Sequence, residues 1–289
     1  MADASRVEDL RPGDHACLTF TDSEERLDLV AAFVRDGLRT GQKVVCVTDT
    51  IPQAVLGIEL IDRGLPVDEA TTRGQMSVLT SGETYLSDGS FGSARMLGML
   101  TGQIEQARRD GFAGLWITSD MCWALRPVTG VDELMDYESQ MTRLLAEGRA
   151  TAICQYDRQC FDTVTLAAVS AHHGLAVAAA TYHDDPLLRI CRQYQPPGVR
   201  VSGEIDYRGV EPLSRALSEA LALDEHVHVN LAGLGFIDGS AAGTLIQAAA
   251  SLRAGQRMAV RCQAQAAKVL RILGLPELAG VAMGVLDDD

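Results

Sequence analysis

The chain has 289 residues, a length that suggests about two domains, and its 47% hydrophobic content is enough for ordinary globular cores. Its 25 Lys and Arg against 39 Asp and Glu give a net charge of −14 with no basic stripe, which argues against direct contact with nucleic acid or an anionic membrane surface. Met1-Ala2-Asp3-Ala4-Ser5-Arg6 lacks the apolar core of a signal peptide, and no apolar run approaches the ~20 residues needed to span a bilayer. The seven cysteines (Cys17, Cys46, Cys122, Cys154, Cys160, Cys191 and Cys262) are scattered and contain no CxxC pair. They read as reduced thiols rather than a disulfide frame or a zinc site. The expectation is a cytosolic protein with no metal and no cofactor.

In chain order, residues 14–20 read as a short strand that ends at the polar turn Thr21-Asp22-Ser23-Glu24. Asp22 or Ser23 can cap the helix that follows, whose apolar face carries Leu27, Val30, Ala31, Val34 and Leu38. Gly41 stops this helix, and the β-branched run 43–48 suits a buried parallel strand. The pattern then predicts a helix over 52–63, a strand over 76–80, a polar loop over 81–89 and a helix over 91–109. A strand at 114–118, a loop at 119–123 and a long helix over 131–147 come next. The series closes with a strand at 151–156, a helix at 162–172 and a last strand at 176–180. Strict alternation of strands and helices implies a mostly parallel sheet covered on both faces. The prolines between Asp184 and Gly198 suggest a boundary, so a first domain is expected over 1–185, a linker over 186–198 and a second domain over 199–289.

The second part reads as a smaller α/β unit, with a strand at 199–206, a helix over 210–221 and a strand at 226–231. A glycine-rich turn then enters an alanine-rich helix at Ser240 that ends near Gly255. A strand at 258–262, a helix over 265–273 and an edge strand over 281–285 follow, and Asp287-Asp288-Asp289 reads as a solvated tail. The turn into the alanine-rich helix admits two readings. Asp238 or Ser240 can simply cap the helix. Alternatively, free amides and the positive helix end can hold a phosphate.

Ligands of parallel α/β sheets sit beyond the carboxyl ends of the strands. Those ends bring Asp22, Asp49, Ser81, Asp120 through Trp123, and Tyr156 through Arg158 to one rim. A small-molecule pocket is expected there with Trp123 and Tyr156 as walls, the alternative being that both are packed core residues. His15 and Cys17 share one face of a strand by their i, i+2 spacing. Two ligands do not make a metal site, so His15 is expected either packed or beside the bound ligand. Cys122, next to Trp123, has no basic neighbour that would activate it as a redox sensor.

Several blocks resemble known families. Val201-Ser202-Gly203-Glu204-Ile205-Asp206, the strand ending in Asn230-Leu231, and Phe236-Ile237-Asp238-Gly239-Ser240-Ala241-Ala242-Gly243 resemble a STAS domain of the anti-sigma-factor-antagonist type. This resemblance covers about the last third of the chain. It implies a partner anti-sigma kinase and phosphorylation of Ser240, the position of the family's phosphoacceptor. The expected partner surface is Asp206, Asp238, Gly239, Ala241, Ala242 and Leu245, with Asp206 and Asp238 either flanking the kinase's Mg-nucleotide or serving only as caps or turn residues. Gly239 stands where the family has its first Ser, Ala241 where it has Gly, and Asn230 where Asp is more usual. The earlier blocks Pro12 to Leu18, Gly41 to Val45, Met121 to Leu125, and Cys154 to Arg158 resemble the MEDS sensory domain. That resemblance implies a RecA- or KaiC-like fold and an unknown small-molecule ligand, with His15, Trp123 and Tyr156 as candidate ligand-binding residues. No GxxxxGK[ST] loop is present, and Thr21-Asp22-Ser23-Glu24-Glu25 is acidic where a nucleotide site needs glycine amides and a lysine. The combined expectation is a non-enzymatic signalling regulator, a sensor that controls an anti-anti-sigma output. A docking module that is never phosphorylated and a degenerate nucleotide-binding enzyme are the alternatives.

Overall fold

The computed structural model describes residues 5–286 and divides into two compact units, one ending at Ala178 and the other beginning at Ala179. The acidic tail Asp287–Asp289 and residues 1–4 lie outside the described residues.

The first unit alternates β1 (His15–Phe20), α1 (Ser23–Arg39), β2 (Lys43–Thr48), α2 (Gln53–Asp62), α3 (Val67–Thr72), β3 (Met76–Thr80), α4 (Ser93–Arg109), β4 (Leu115–Asp120), α5 (Leu134–Leu145), β5 (Ala150–Asp157), α6 (Thr163–His172) and β6 (Leu175–Val177). The six strands are parallel in the order β3-β2-β4-β5-β1-β6. From β1 to β3 the chain moves toward one edge of this sheet, and from β3 onward it moves back across. Crossovers of one hand then send α1, α2 and α3 to one face and α4, α5 and α6 to the other. The packing follows this division, with α1 against α2, α2 against α3, α4 against α5 and α5 against α6. Strands buried on both faces explain the nearly unbroken apolar runs of β2 and β5. Helix α3, which sequence periodicity does not pick out, is six residues long, too short to show a repeat.

The second unit contains β7 (Thr181–Asp184), β8 (Leu188–Tyr194), β9 (Pro197–Ile205), α7 (Val210–Leu223), β10 (His226–Leu231), β11 (Leu234–Ile237), α8 (Gly239–Ala250), β12 (Arg257–Cys262), α9 (Ala264–Ile272) and β13 (Val281–Val285). Its mixed sheet runs β13-β12-β10-β9-β8-β7, with β11 paired to the far end of β9. The expected linker over 186–198 is corrected here: these residues form β8, the turns on either side of it and the start of β9. Register runs without a break from Leu188 opposite Gly203 to Tyr194 opposite Pro197. Pro186 falls in the turn before β8, Pro196 follows a cis peptide bond in the turn after it, and Pro197 opens β9. Prolines are tolerated at turns and at a strand's first residue, so their clustering marks a hairpin and not a linker. Two other expectations shift. The last strand of the first unit covers only 175–177, and the glycine-rich turn after β10 contains the short strand β11. Leu213, Leu217, Val229, Leu231, Leu245 and Leu270 belong to the common core between the helices and this sheet.

Candidate functional site

Residues 238–240 sit between β11 and α8. Asp238 Oδ1 accepts from the Ala241 amide at 2.8 Å, so Asp238 is the cap and Ser240 is not. Ser240 is exposed, and its hydroxyl makes no hydrogen bond among the described residues. Its carbonyl accepts from Thr244 Oγ1 at 3.1 Å inside the helix. Asp206 caps the helical turn after β9 by accepting from the Arg208 amide at 2.9 Å, and it also pairs with the Arg208 guanidinium. The Arg208 side chain and amide hold the Asp206 carboxyl below its ordinary range. Both aspartates thus have structural work, and Gly239 faces open space.

The expected partner surface is corrected at three positions. Ala241, Ala242 and Leu245 are each 0% exposed and belong to the core of the second unit. On a helix lying against a sheet, one face must bury its apolar residues. The i, i+1, i+4 spacing of these three places them on that inner face and turns Ser240 outward. The exposed groups near the turn are instead Phe236 at 45% and Tyr207 at 70%. The helical turn that carries Tyr207 packs against α8. Phe236 also lines an open cleft of about 150 Å³ with Glu204, Asp206, Arg208 and His183.

In the first unit the rim expectation is only partly met. Asp120 closes β4 at the point where the crossovers from β2 and β4 part to opposite faces. Arg26, on α1, donates to Asp120 Oδ2 at 2.8 Å, to Gln155 Oε1 at 2.6 Å and to Thr50 Oγ1 at 3.0 Å. Asp120 also accepts from the Thr50 amide and hydroxyl and from the Cys122 amide. The space left in this crevice is about 10 Å³, room for one water at most. Burial opposes the charge of Asp120, but Arg26 and the Thr50 donors outweigh it and hold the carboxyl at about 2. At the mouth of β1, Asp22 accepts from the Glu24 and Glu25 amides at 2.7 and 3.3 Å and so occupies the helix end that would face a phosphate. Burial, aided by the Asp120 carboxylate, pushes the Cys122 thiol up to about 12, which favours the protonated thiol at neutral pH.

Trp123 and Tyr156 are corrected as pocket walls, since both are 0% exposed. Trp123 stacks on Tyr85 with centroids 4.9 Å apart and packs against Phe91. A space open to a small molecule lies elsewhere in this unit. It is a largely apolar cavity of about 60 Å³ between the sheet and α4, lined by Val45, Val47, Ile117, Met96, Leu100 and Tyr85. Tyr85 donates its hydroxyl proton to Ser119 Oγ at 3.0 Å beside this cavity.

His15 is buried as well, but in a cluster that its spacing to Cys17 did not reveal. His15 on β1, Cys154 on β5, Glu138 on α5 and His173 at the end of α6 place one ligand-type atom each within 4.8 Å of all the others. Tyr156 donates its hydroxyl to Glu138 Oε1 at 2.6 Å. Burial drives His173 down to about 4 against the pull of Glu138, so its imidazole is neutral. Burial and the Glu138 carboxylate raise Cys154 and Tyr156 well above their ordinary values. No sequence signal joins residues 15, 138, 154 and 173. Only the parallel pairing of β1 with β5 and the seating of α5 and α6 over these strands bring them together.

Comparison with known proteins gives these groups a context. Residues 189–282 match the family model described as "Mlab, STAS domain". Among solved structures, a KaiC-like protein from Pyrococcus horikoshii is 14% identical, with a TM-score of 0.44 over 66% of this chain and 79% of that one. The flagellar accessory protein FlaH from Methanocaldococcus jannaschii is 11% identical, with a TM-score of 0.41 over 66% of this chain and 82% of that one. No curated protein matches the chain. Among the described residues no helix is long and apolar enough to cross a membrane. A sensory module ahead of a STAS module is the arrangement of a signalling regulator. Residues 14–174, more than half of the chain, match the model of the "MEthanogen/methylotroph, DcmR Sensory domain", and the chain belongs to this MEDS family.

Proposed function

We propose that the chain is a non-enzymatic signalling regulator of the anti-sigma-factor-antagonist type, located in the cytoplasm. Its STAS unit binds an anti-sigma serine kinase and is switched by phosphorylation of Ser240. Its MEDS unit senses a small molecule. The observation that carries this reading is the exposed, unbonded Ser240 hydroxyl on the first turn of α8, with the capping duty already met by Asp238. A phosphate there adds nearly two negative charges close to the Asp238 carboxylate. The partner surface in this reading is the exposed ground around Ser240, including Phe236 and Tyr207. Desolvating a dianion at such a contact is costly, so the phosphorylated form releases the partner. Gly239, where the family has Ser, faces open space, so the altered flank leaves the approach to Ser240 unobstructed.

The small apolar cavity beside α4 supports a small, largely apolar ligand. The Asp22-capped helix and the Arg26–Asp120 crevice support a first unit that does not take nucleotide. Incubation with a purified anti-sigma kinase and ATP, followed by intact-mass measurement, tests the reading. One added phosphoryl group on the wild type and none on Ser240→Ala is the expected result. Ser240→Asp loses the partner in a pull-down and Ser240→Ala retains it. Capture of the partner by both variants alike, with no phosphorylation of the wild type, would instead describe a docking module. Hydrolysis of ATP by the chain alone would describe an enzyme.

A further inference from the structure

The buried cluster in the MEDS unit is short of donors. Val169 O can only accept, and it lies 2.7 Å from His173 Nδ1, so the ring proton is on Nδ1 and the Nε2 lone pair is free. Thr142 Oγ1 donates to the His172 carbonyl at 2.8 Å and therefore accepts from His15 Nδ1 at 2.7 Å. In the neutral ring this leaves the Nε2 lone pair of His15 free. Both lone pairs point at one carboxylate oxygen, with His15 Nε2 3.3 Å and His173 Nε2 3.5 Å from Glu138 Oε2. His173 Nε2 is buried and has no hydrogen-bond partner among the described residues. Three acceptors thus face each other, and among the described residues the Cys154 thiol is the one donor aimed among them, its sulfur 3.5 Å from His15 Nε2 and 3.8 Å from Glu138 Oε2.

We infer that His15 Nε2, Glu138 Oε2, Cys154 Sγ and His173 Nε2 form a closed tetrahedral site for a divalent cation of the zinc class. Ligands held at ~2.0–2.3 Å around a tetrahedral centre lie roughly 3.3–3.8 Å apart. Four of the six ligand–ligand separations run from 3.3 to 3.8 Å, matching these edges, and the other two lie within 4.8 Å. Two imidazoles, a thiolate and a carboxylate select zinc-like ions over calcium or magnesium, which prefer all-oxygen shells. On binding, the Cys154 S–H bond breaks, the sulfur bonds to the cation and the proton leaves to solvent. One carboxylate and one thiolate then balance the dication, so the filled site is neutral in a buried setting. The second shell is already in place: Thr142 and Val169 O orient the two rings, and the Tyr156 hydroxyl holds the other oxygen of Glu138. The ion would tie α5 and α6 to β1 and β5.

The test uses the full-length protein, stripped with a chelator and titrated with Zn²⁺ or Co²⁺. Wild type retains one equivalent of either ion after desalting. Its Co²⁺ form shows the visible bands of a tetrahedral centre and a thiolate-to-cobalt charge-transfer band in the near ultraviolet. Cys154→Ser removes the charge-transfer band, His173→Gln lowers the retained metal several-fold, and Cys160→Ser, at an exposed thiol, changes neither. Tryptophan emission verifies that each variant is folded. The inference is overturned if folded wild type retains neither ion, in which case a shared proton holds the cluster together. It is equally overturned if the charge-transfer band survives in folded Cys154→Ser.

Discussion

Replacing Asp120 with Ala is a sharp test of the crevice between β2 and β4. In the native unit the Arg26 guanidinium is 6% exposed, the Asp120 carboxylate is 0% exposed, and they pair at 2.8 Å. Asp120→Ala removes the only carboxylate paired with Arg26 among the described residues and orphans the Thr50 and Cys122 amides that donate to it. Breaking one partner of such a buried pair costs about 3–5 kcal/mol, a large part of the ~5–15 kcal/mol that holds a domain folded. Arg26→Met in the same background removes the stranded charge, and the double variant is expected to recover part of the loss. Both tryptophans of the chain, Trp116 and Trp123, lie in the first unit, so urea unfolding followed by tryptophan emission reports that unit alone. The pH dependence has a definite sign. Asp120 is depressed from 3.8 to about 2 in the folded state, so its contribution is complete above pH 3.8 and disappears as the pH falls toward 2. That depression corresponds to about 2 kcal/mol. A loss under ~1 kcal/mol in Asp120→Ala, or no recovery in the double variant, would refute the assignment of a stabilising buried pair.

Two further outcomes follow from the second unit. Leu245→Ala is expected to destabilise it by about 2–5 kcal/mol in a circular-dichroism melt, because it empties a fully buried site. Phe236→Ser leaves that melt within ~0.5 kcal/mol and weakens partner capture, since Phe236 is an exposed side chain. Reversed behaviour of the two would return the docking surface to the apolar face of α8. Gly203 has φ +95°, and a Cβ there would stand 2.0 Å from the Leu187 carbonyl oxygen. Gly203→Ala therefore disrupts the junction of β8, β9 and β11 and leaves the second unit largely unfolded at 37 °C, whereas Gly239→Ala, in open space, melts near wild type.

The sequence by itself determined the elements whose signals are local. The parallel strands 43–48 and 150–157 are legible as apolar runs because both faces of the sheet are covered. The edge strand 281–285 is legible as a short apolar run after Gly274 and Pro276. The STAS and MEDS blocks are legible because their residues keep order and spacing along the chain. Ser240 belongs here too, since the start of a helix is written in adjacent residues.

Tertiary structure decided the rest, wherever meaning depends on which faces meet. Proline spacing around 186–197 has the same local form in a linker and in a hairpin, and only the pairing of β8 with β9 distinguishes them. Ala241, Ala242 and Leu245 look like a docking patch until α8 lies on its sheet and turns them inward. Trp123 and Tyr156 stand at the strand ends as expected, but the loops fold back and bury them. The cluster of His15, Glu138, Cys154 and His173 is drawn from positions 15 to 173 on four elements. No window of sequence contains it, because its geometry exists only once β1 lies beside β5 with α5 and α6 packed above them.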